Sequence, residues 1–363
     1  LNYLTPKSIY KMKKVIFGLL IVAGTLIGCQ ENSSDMTNEL QSKVDMSDFY
    51  VFTDEYGSKG DSNTKESREC HSMNVLNRQL KENSGLYKKM YDVEYNTRKF
   101  IGAKGKPTGT GGGGSGGGDS DVDVAIVPDN LGVINIPVYI HIVYPNANSI
   151  SNAQVSSQMN VLNADFTNTN VSQLPSGTTF ANDATNAGFS FSLAGTFRYD
   201  DPKASWGTNN SVKAAYPPIT PETHLNIWVC NIGGGILGYA QFPGGAASTD
   251  GVVLGGEYFG VTGGVYGAGR TATHEVGHYF NLRHIWGDGR CRQDDFVADT
   301  PSSDSSNGGC PTFPSVSCKT ADMTMNYMDY TYDNCMYMFT DGQRNRMRAL
   351  FAPGGARFLM SGS

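Results

Sequence analysis

The sequence predicts an α+β fold, and three observations carry that prediction. Strand-like runs at residues 133–144, 189–193 and 225–229 precede the most strongly patterned helix instead of alternating with helices. Beyond residue 285 periodic segments nearly vanish, and Asp, Ser, Gly and Cys dominate until one last short helix. A glycine run at 111–118, broken only by Ser115, divides the chain because it is too flexible to bury a core.

In order along the chain, Lys11, Lys13 and Lys14 precede the apolar run 15–27, which Gly28 and Cys29 close. That length suits the apolar part of an export signal and is short for a membrane span. The end of the run resembles a bacterial lipoprotein signal with Cys29 as the lipidated residue; the alternative is a cleaved secretory signal with an incidental cysteine. Residues 30–67 are polar, poor in apolar side chains, and read as a tether. From 68 to 101, Met73, Leu76, Leu80, Leu86, Met90, Val93 and Phe100 recur at spacings that predict one or two amphipathic helices. The glycine-rich linker is set at 102–132.

Val, Ile and Tyr make residues 133–144 a strand, and Val155, Met159, Leu162 and Phe166 share one helical face behind a Ser151–Gln154 capping box. Phe189, Phe191 and Leu193 alternate as a half-buried strand does, as do Leu225, Ile227 and Val229; residues 251–256 read as another short strand. Thr340 and Gln343 cap a final helix with Met347, Leu350 and Phe351 on its apolar side.

The charge balance is uneven. Residues 1–120 hold 16 basic and 14 acidic side chains, whereas 121–363 hold 12 and 20. The acidic second part argues against nucleic acid as a partner and suits metal ions or basic peptide segments. Export also favours disulfides among Cys291, Cys310, Cys318 and Cys335, for which sequence alone leaves three pairings open.

The decisive stretch runs from His274-Glu275 through His278 to His284. On a helix, His274 and His278 share a face and can present two imidazoles to one ion, with Glu275 beside it as a base and not a ligand. A third ligand, His284, six residues on, requires the helix to stop and turn, and Asn281 is where the turn falls. Three neutral histidines leave a fourth position for water, the catalytic pattern for zinc. His71, His141 and His224 lack such spacing and read as structural.

The extended motif is similar to that of the metzincins, and its surroundings resemble the pappalysin family, the group that includes pregnancy-associated plasma protein-A. Asn281 stands where metzincins usually have glycine; Asn tolerates the left-handed conformation that the turn needs. The resemblance implies a metzincin-like catalytic domain over 133–363, with a twisted mixed sheet, a zinc helix above the cleft and an irregular disulfide-linked lower subdomain. It implies a methionine turn at Met328 within Asn326-Tyr327-Met328-Asp329-Tyr330, with Tyr330 donating to the oxyanion. It implies the pairs Cys291–Cys318 and Cys310–Cys335, and a calcium site near the Asp-Thr-Pro stretch formed by Asp295, Thr300, Asp288 and Asp299; solvated loop acids are the alternative.

By the same resemblance, residues 68–101 are a pro-segment whose Cys70 takes the open zinc position; a disulfide to Cys230 or an idle thiol are the alternatives. The expectation is therefore a zinc endopeptidase acting on protein or peptide substrates. It would be exported, lipid-anchored and monomeric, latent as made, and activated by cutting near Arg98, Lys99, Lys104 or Lys106. A catalytically silent, surface-anchored binding protein on the same scaffold is the alternative. Substrate preference for a basic residue after the cut would depend on an acid beyond the methionine turn, where Asp333 and Asn334 stand.

Overall fold

The computed structural model describes residues 44–51, 68–104, 124–170, 174 and 177–362. Cys29, the signal run, and most of the tether and glycine linker lie outside the described residues. Two helices, α1 (Ser72–Glu82) and α2 (Leu86–Lys104), come first. They are followed by β1 (Ile134–Tyr144), α3 (Asn152–Phe166), β2 (Phe189–Asp200), α4 (Ser211–Ala215), β3 (Leu225–Cys230), β4 (Gly238–Ala240) and β5 (Val252–Gly255). The chain then forms α5 (Arg270–Tyr279), the two-residue strands β6 (Val316–Ser317) and β7 (Thr320–Ala321), and α6 (Asp341–Ala349).

The first five strands form one sheet in the order β2-β1-β3-β5-β4, parallel except for β4, which runs antiparallel at the edge. Two helices cover one face: α3 lies against β2 and α5, and α5 against β4 and β5. The sheet is mixed, and the fold is α+β with a disulfide-linked region after the motif helix.

Strand β3 departs from the half-buried pattern. Leu225, Ile227 and Val229 enter the main core, while Trp228 and Cys230 enter a second cluster on the opposite face with Val143, Val253 and Tyr239. A central parallel strand is covered on both sides, so polar alternation is not required. Leu193 also differs: it is 46% exposed, on the edge strand and next to the bulge that leaves Ala194 extra opposite Val138 and Tyr139.

Behind α5 sits an aromatic cluster in which the Phe280 ring lies 4.9 Å from Phe189, 5.1 Å from Phe351 and 5.9 Å from Phe166. Burying one such ring contributes roughly 2–3 kcal/mol, which anchors the end of the motif helix to the sheet. Helix α3 is capped by Ser151 Oγ, which accepts from the Gln154 amide, but the box is not reciprocal: the Gln154 side chain donates to the Gly256 and Phe259 carbonyls instead. A reciprocal Thr340–Gln343 capping box starts α6.

Three boundaries move. Helix α2 continues to Lys104, into the stretch read as linker. Residues 124–132 pack on α6: the Val127 amide donates to Asn345 Oδ1, and Asp129 pairs with Arg348. Residues 44–51 of the polar tether are docked, with Val51 1% exposed. Arg98 is inside α2 and paired with Glu94 and Asp48, so cutting beside it requires the helix to unwind.

Candidate active site

Helix α5 starts at Gly269, whose φ of 80° only glycine adopts freely, and stops at Tyr279. Asn281 then takes a left-handed φ of 70°, and the Leu282 amide donates back to the Gly277 carbonyl at 2.9 Å. This turn swings the chain so that His284 faces His274 and His278. Gly277 has a separate reason: a Cβ there would stand 2.4 Å from Met328 Sδ, so the methionine turn packs directly beneath the helix.

Each histidine is held through Nδ1. His274 donates to the Tyr327 carbonyl at 2.7 Å, His278 to the Leu282 carbonyl at 2.8 Å, and His284 to Asp288. All three Nε2 atoms therefore turn inward; those of His278 and His284 are 3.1 Å apart, and that of His274 is buried with no hydrogen-bond partner among the described residues. Burial, reinforced by the neighbouring histidines, holds His274 and His278 well below the usual imidazole range, so both are neutral donors with a free lone pair. Three buried lone pairs aimed at one another repel unless a cation lies between them. The donor set fits zinc.

Cys70 completes the group. Its Sγ lies 3.5 Å from His278 Nε2, and its ligand atom and those of His274, His278 and His284 all fall within 4.8 Å of one another. Cys70 and Cys230 are both free and buried, in separate parts of the molecule, so they are not paired. Burial pushes the Cys70 thiol well up, so its anion needs a cation beside it.

Glu275 is fully buried beside this group. Its Oε2 accepts from Ser72 Oγ at 2.6 Å, and Oε1 has no partner among the described residues. Burial raises its carboxyl to about 7, against the Ser72 hydrogen bond, which lowers it. Tyr330 lies at the rim, its hydroxyl donating to the Cys70 carbonyl at 3.4 Å and its ring 4.9 Å from that of His284. Trp286 stacks on His284 at 4.3 Å, fixing the ring from the side.

The segment around Cys70 lies along the sheet edge as an added strand. The Leu237 amide donates to the Glu69 carbonyl at 3.0 Å, and the His71 amide to the Gly238 carbonyl at 3.1 Å. The Ala240 amide donates to Ser72 Oγ at 2.7 Å. These main-chain groups of Leu237 and β4 are of the kind an extended peptide uses. Next to them Arg68, 1% exposed, reaches Asp333 Oδ1 at 2.5 Å, the Thr331 carbonyl and Thr271 Oγ1, with its guanidinium 4.9 Å from the Tyr266 ring.

Of the four residues expected at a calcium site, Asp295 and Thr300 meet, Thr300 Oγ1 lying 2.8 and 2.9 Å from the two Asp295 oxygens, while Asp288 and Asp299 have other partners. Asp288 holds His284; Asp299 caps α6 through Thr340 Oγ1 and the Gly342 amide; Asp295 accepts from Thr300 Oγ1 and the Val297 amide. Among the described residues no three acids at this stretch bring their oxygens together. The disulfides join Cys291 to Cys318 and Cys310 to Cys335. His71, His141 and His224 lie outside the cluster; His141 stacks 5.0 Å from Trp228.

Ser72 and the Asp288 partnership are not visible as site features in the sequence, although Asp288 does stand four residues after His284. A metal-bound histidine keeps its orientation through such a carboxylate, so Asp288→Ala should weaken zinc binding by roughly 10- to 100-fold. Chelator competition measures this; unchanged affinity would mean that the carboxylate does not orient the ring.

The family model described as pregnancy-associated plasma protein-A matches residues 207–352. An extracellular metalloprotease of Pyricularia oryzae is 33% identical over 234 residues, covering 60% of this chain and 75% of that protein. One from Sordaria macrospora is 34% identical over 232 residues, with the same coverage. Among solved structures, mature mirolysin of Tannerella forsythia in complex with a cleaved peptide is 42% identical. It covers 63% of this chain and 96% of its own, with a TM-score of 0.60. A mutant of promirolysin from the same organism is 36% identical and covers 81% of this chain and 97% of its own, with a TM-score of 0.66.

Proposed function

The chain belongs to the pappalysin family of metzincin metallopeptidases, those of the pregnancy-associated plasma protein-A type, and from that premise we propose that it is made as a latent zinc endopeptidase silenced by its own residues 68–104. The observation that carries this reading is the convergence of Cys70 Sγ with three imidazole nitrogens, while Ser72 from the same segment occupies Glu275.

In this reading His274, His278 and His284 would hold the metal, with Cys70 as a further ligand while the segment is in place. Zinc supplies polarisation of the scissile carbonyl and acidification of the attacking water. Once the segment leaves, Glu275, freed from Ser72, takes the proton of the attacking water and passes it to the leaving amine. Tyr330, freed from the Cys70 carbonyl, donates to the oxyanion, and Met328 floors the histidines. The amides and carbonyls of β4 hold the peptide extended.

The pro-segment is attached at several points, which supports removal by cutting and not by simple dissociation. Besides the cleft contacts, Glu94 in α2 pairs with Arg346 in α6 at 2.8 Å. Burial works against that carboxylate, but the Arg346 and Arg98 guanidinium groups hold it down to about 2. Lys104, at the end of α2, is better placed for the cut than Arg98.

Export, with Cys29 as a lipid anchor ahead of the pro-segment, remains the reading of the N-terminal sequence, and the extracellular relatives agree with secretion. No helix among the described residues is long and apolar enough to cross a membrane. A monomer is the simplest state for this arrangement. Together these parts make cleavage both the activation and the release of the protease.

Arg68 also proposes a preference. Its guanidinium satisfies the buried Asp333, and removing it with the pro-segment leaves that carboxylate to accept a basic substrate side chain just after the cut. Charge-assisted hydrogen bonds of this kind contribute about 1.5–3 kcal/mol, or roughly 10- to 100-fold in selectivity. Peptide-library profiling of the activated protein tests this. Cleavage before Arg should dominate, and Asp333→Asn, which keeps an oxygen for the Ala268 and Arg270 amides, should flatten it. An unchanged profile would remove Asp333 from specificity.

A further inference from the structure

Residues 44–51 precede Cys70 in the chain and are firmly packed. Val51 joins an apolar cluster with Met73, Leu76, Met90 and Phe242. The Phe49 ring lies 6.3 Å from Phe296, stacked, and 5.5 Å from Tyr91 of α2, edge on. Tyr50 donates its hydroxyl to the Asp294 carbonyl at 2.7 Å and accepts from the Asp294 amide at 3.1 Å; the Gly287 carbonyl is also within 3.1 Å.

Arg283 closes this contact. It donates to the Tyr50 carbonyl, and its guanidinium lies 4.3 Å from the Tyr50 ring and 4.5 Å from that of Phe296. On the other side Asp48 pairs with Arg98 of α2.

We infer that the face formed by Arg283, Phe296 and the main chain of Gly287 and Asp294 is a docking site for an aromatic peptide segment, filled here by residues 48–51 as a second latch that does not depend on Cys70. Arg283 adjoins His284, and Gly287 adjoins Asp288, which orients it. The segment therefore grips the loop of the third histidine from both sides. It also joins that loop to α2, so it clamps pro-segment and catalytic domain together where no sulfur is involved. Aromatic rings, an arginine face and paired main-chain carbonyls select a Tyr or Phe side chain, with the Tyr hydroxyl as the discriminating group.

This inference rests on the latent-protease reading, and its test separates the two. The full chain is prepared as parent, as Phe49→Ala/Tyr50→Ala, and as Tyr50→Phe, which removes only the hydroxyl and keeps the packing. Onset of casein cleavage and hydrogen exchange of amides 283–296 are followed in each. The double variant should begin cleavage at least about tenfold sooner than the parent and exchange faster in that loop, with Tyr50→Phe between them. Onset and exchange equal to the parent in both variants would overturn the latch. A parent fully active from the start would defeat the latent-protease reading instead; unchanged loop exchange would then still overturn the docking site, and faster exchange would uphold it.

Discussion

Glu275→Ala should keep its zinc and lose its proteolysis. The three imidazoles are anchored through Nδ1 by Tyr327, Leu282 and Asp288, in hydrogen bonds that do not involve Glu275, so deleting the carboxylate leaves the metal site standing. What disappears is the group that takes a proton from water, for which a loss of roughly a thousandfold is expected. Metal content per chain and casein digestion, measured on one preparation, read the two halves separately. A variant without zinc would make Glu275 part of the metal site; one that still digests casein would assign the base elsewhere. The full-length variant should stay intact on storage, because it cannot cut its own pro-segment.

Cys70→Ala should act in the opposite direction, raising the initial activity of the full chain by roughly a hundredfold as the open fraction grows. The thiol is buried, and burial disfavours its anion, so the sulfur contributes to closure only through a cation beside it. Removing it costs the segment that attachment alone. Arg68 on Asp333, Ser72 on Glu275 and Glu94 on Arg346 remain, so the variant should open without becoming equal to the processed enzyme. Self-degradation during purification would be the practical sign. Initial rates equal to those of the parent would leave Cys70 no role in latency.

Much of the site is legible in the sequence because it is local. The spacing from His274 to His284 dictates a helix, a stop and a turn, and Asn281 is chemically suited to the left-handed φ it adopts. Capping at Ser151 and Thr340 is likewise a matter of three or four residues. What is hidden is what folding joins from far apart. Ser72 reaches Glu275 across 203 positions, and nothing near either residue announces the other. Asp288 sits among several loop acids, and composition cannot separate an acid that orients a histidine from one that binds calcium. The same limit explains residues 44–51, where a run of four apolar side chains at 49–52 interrupts a polar stretch without any period to mark a docked surface. Leu193 and β3 were obscured for another reason: alternation tells which residues share a face, not how many faces the rest of the chain will cover.

The central claim is that one ion is shared by three imidazoles and, before activation, the Cys70 sulfur. Zinc-edge X-ray absorption on the full-length Glu275→Ala protein tests it most directly, with the same protein after removal of residues 1–104 as the comparison. Three nitrogen ligands and one sulfur in the intact chain, with the sulfur replaced by oxygen after removal, is the predicted result. A spectrum without sulfur in the intact chain, or with fewer than three imidazoles in either form, would contradict it.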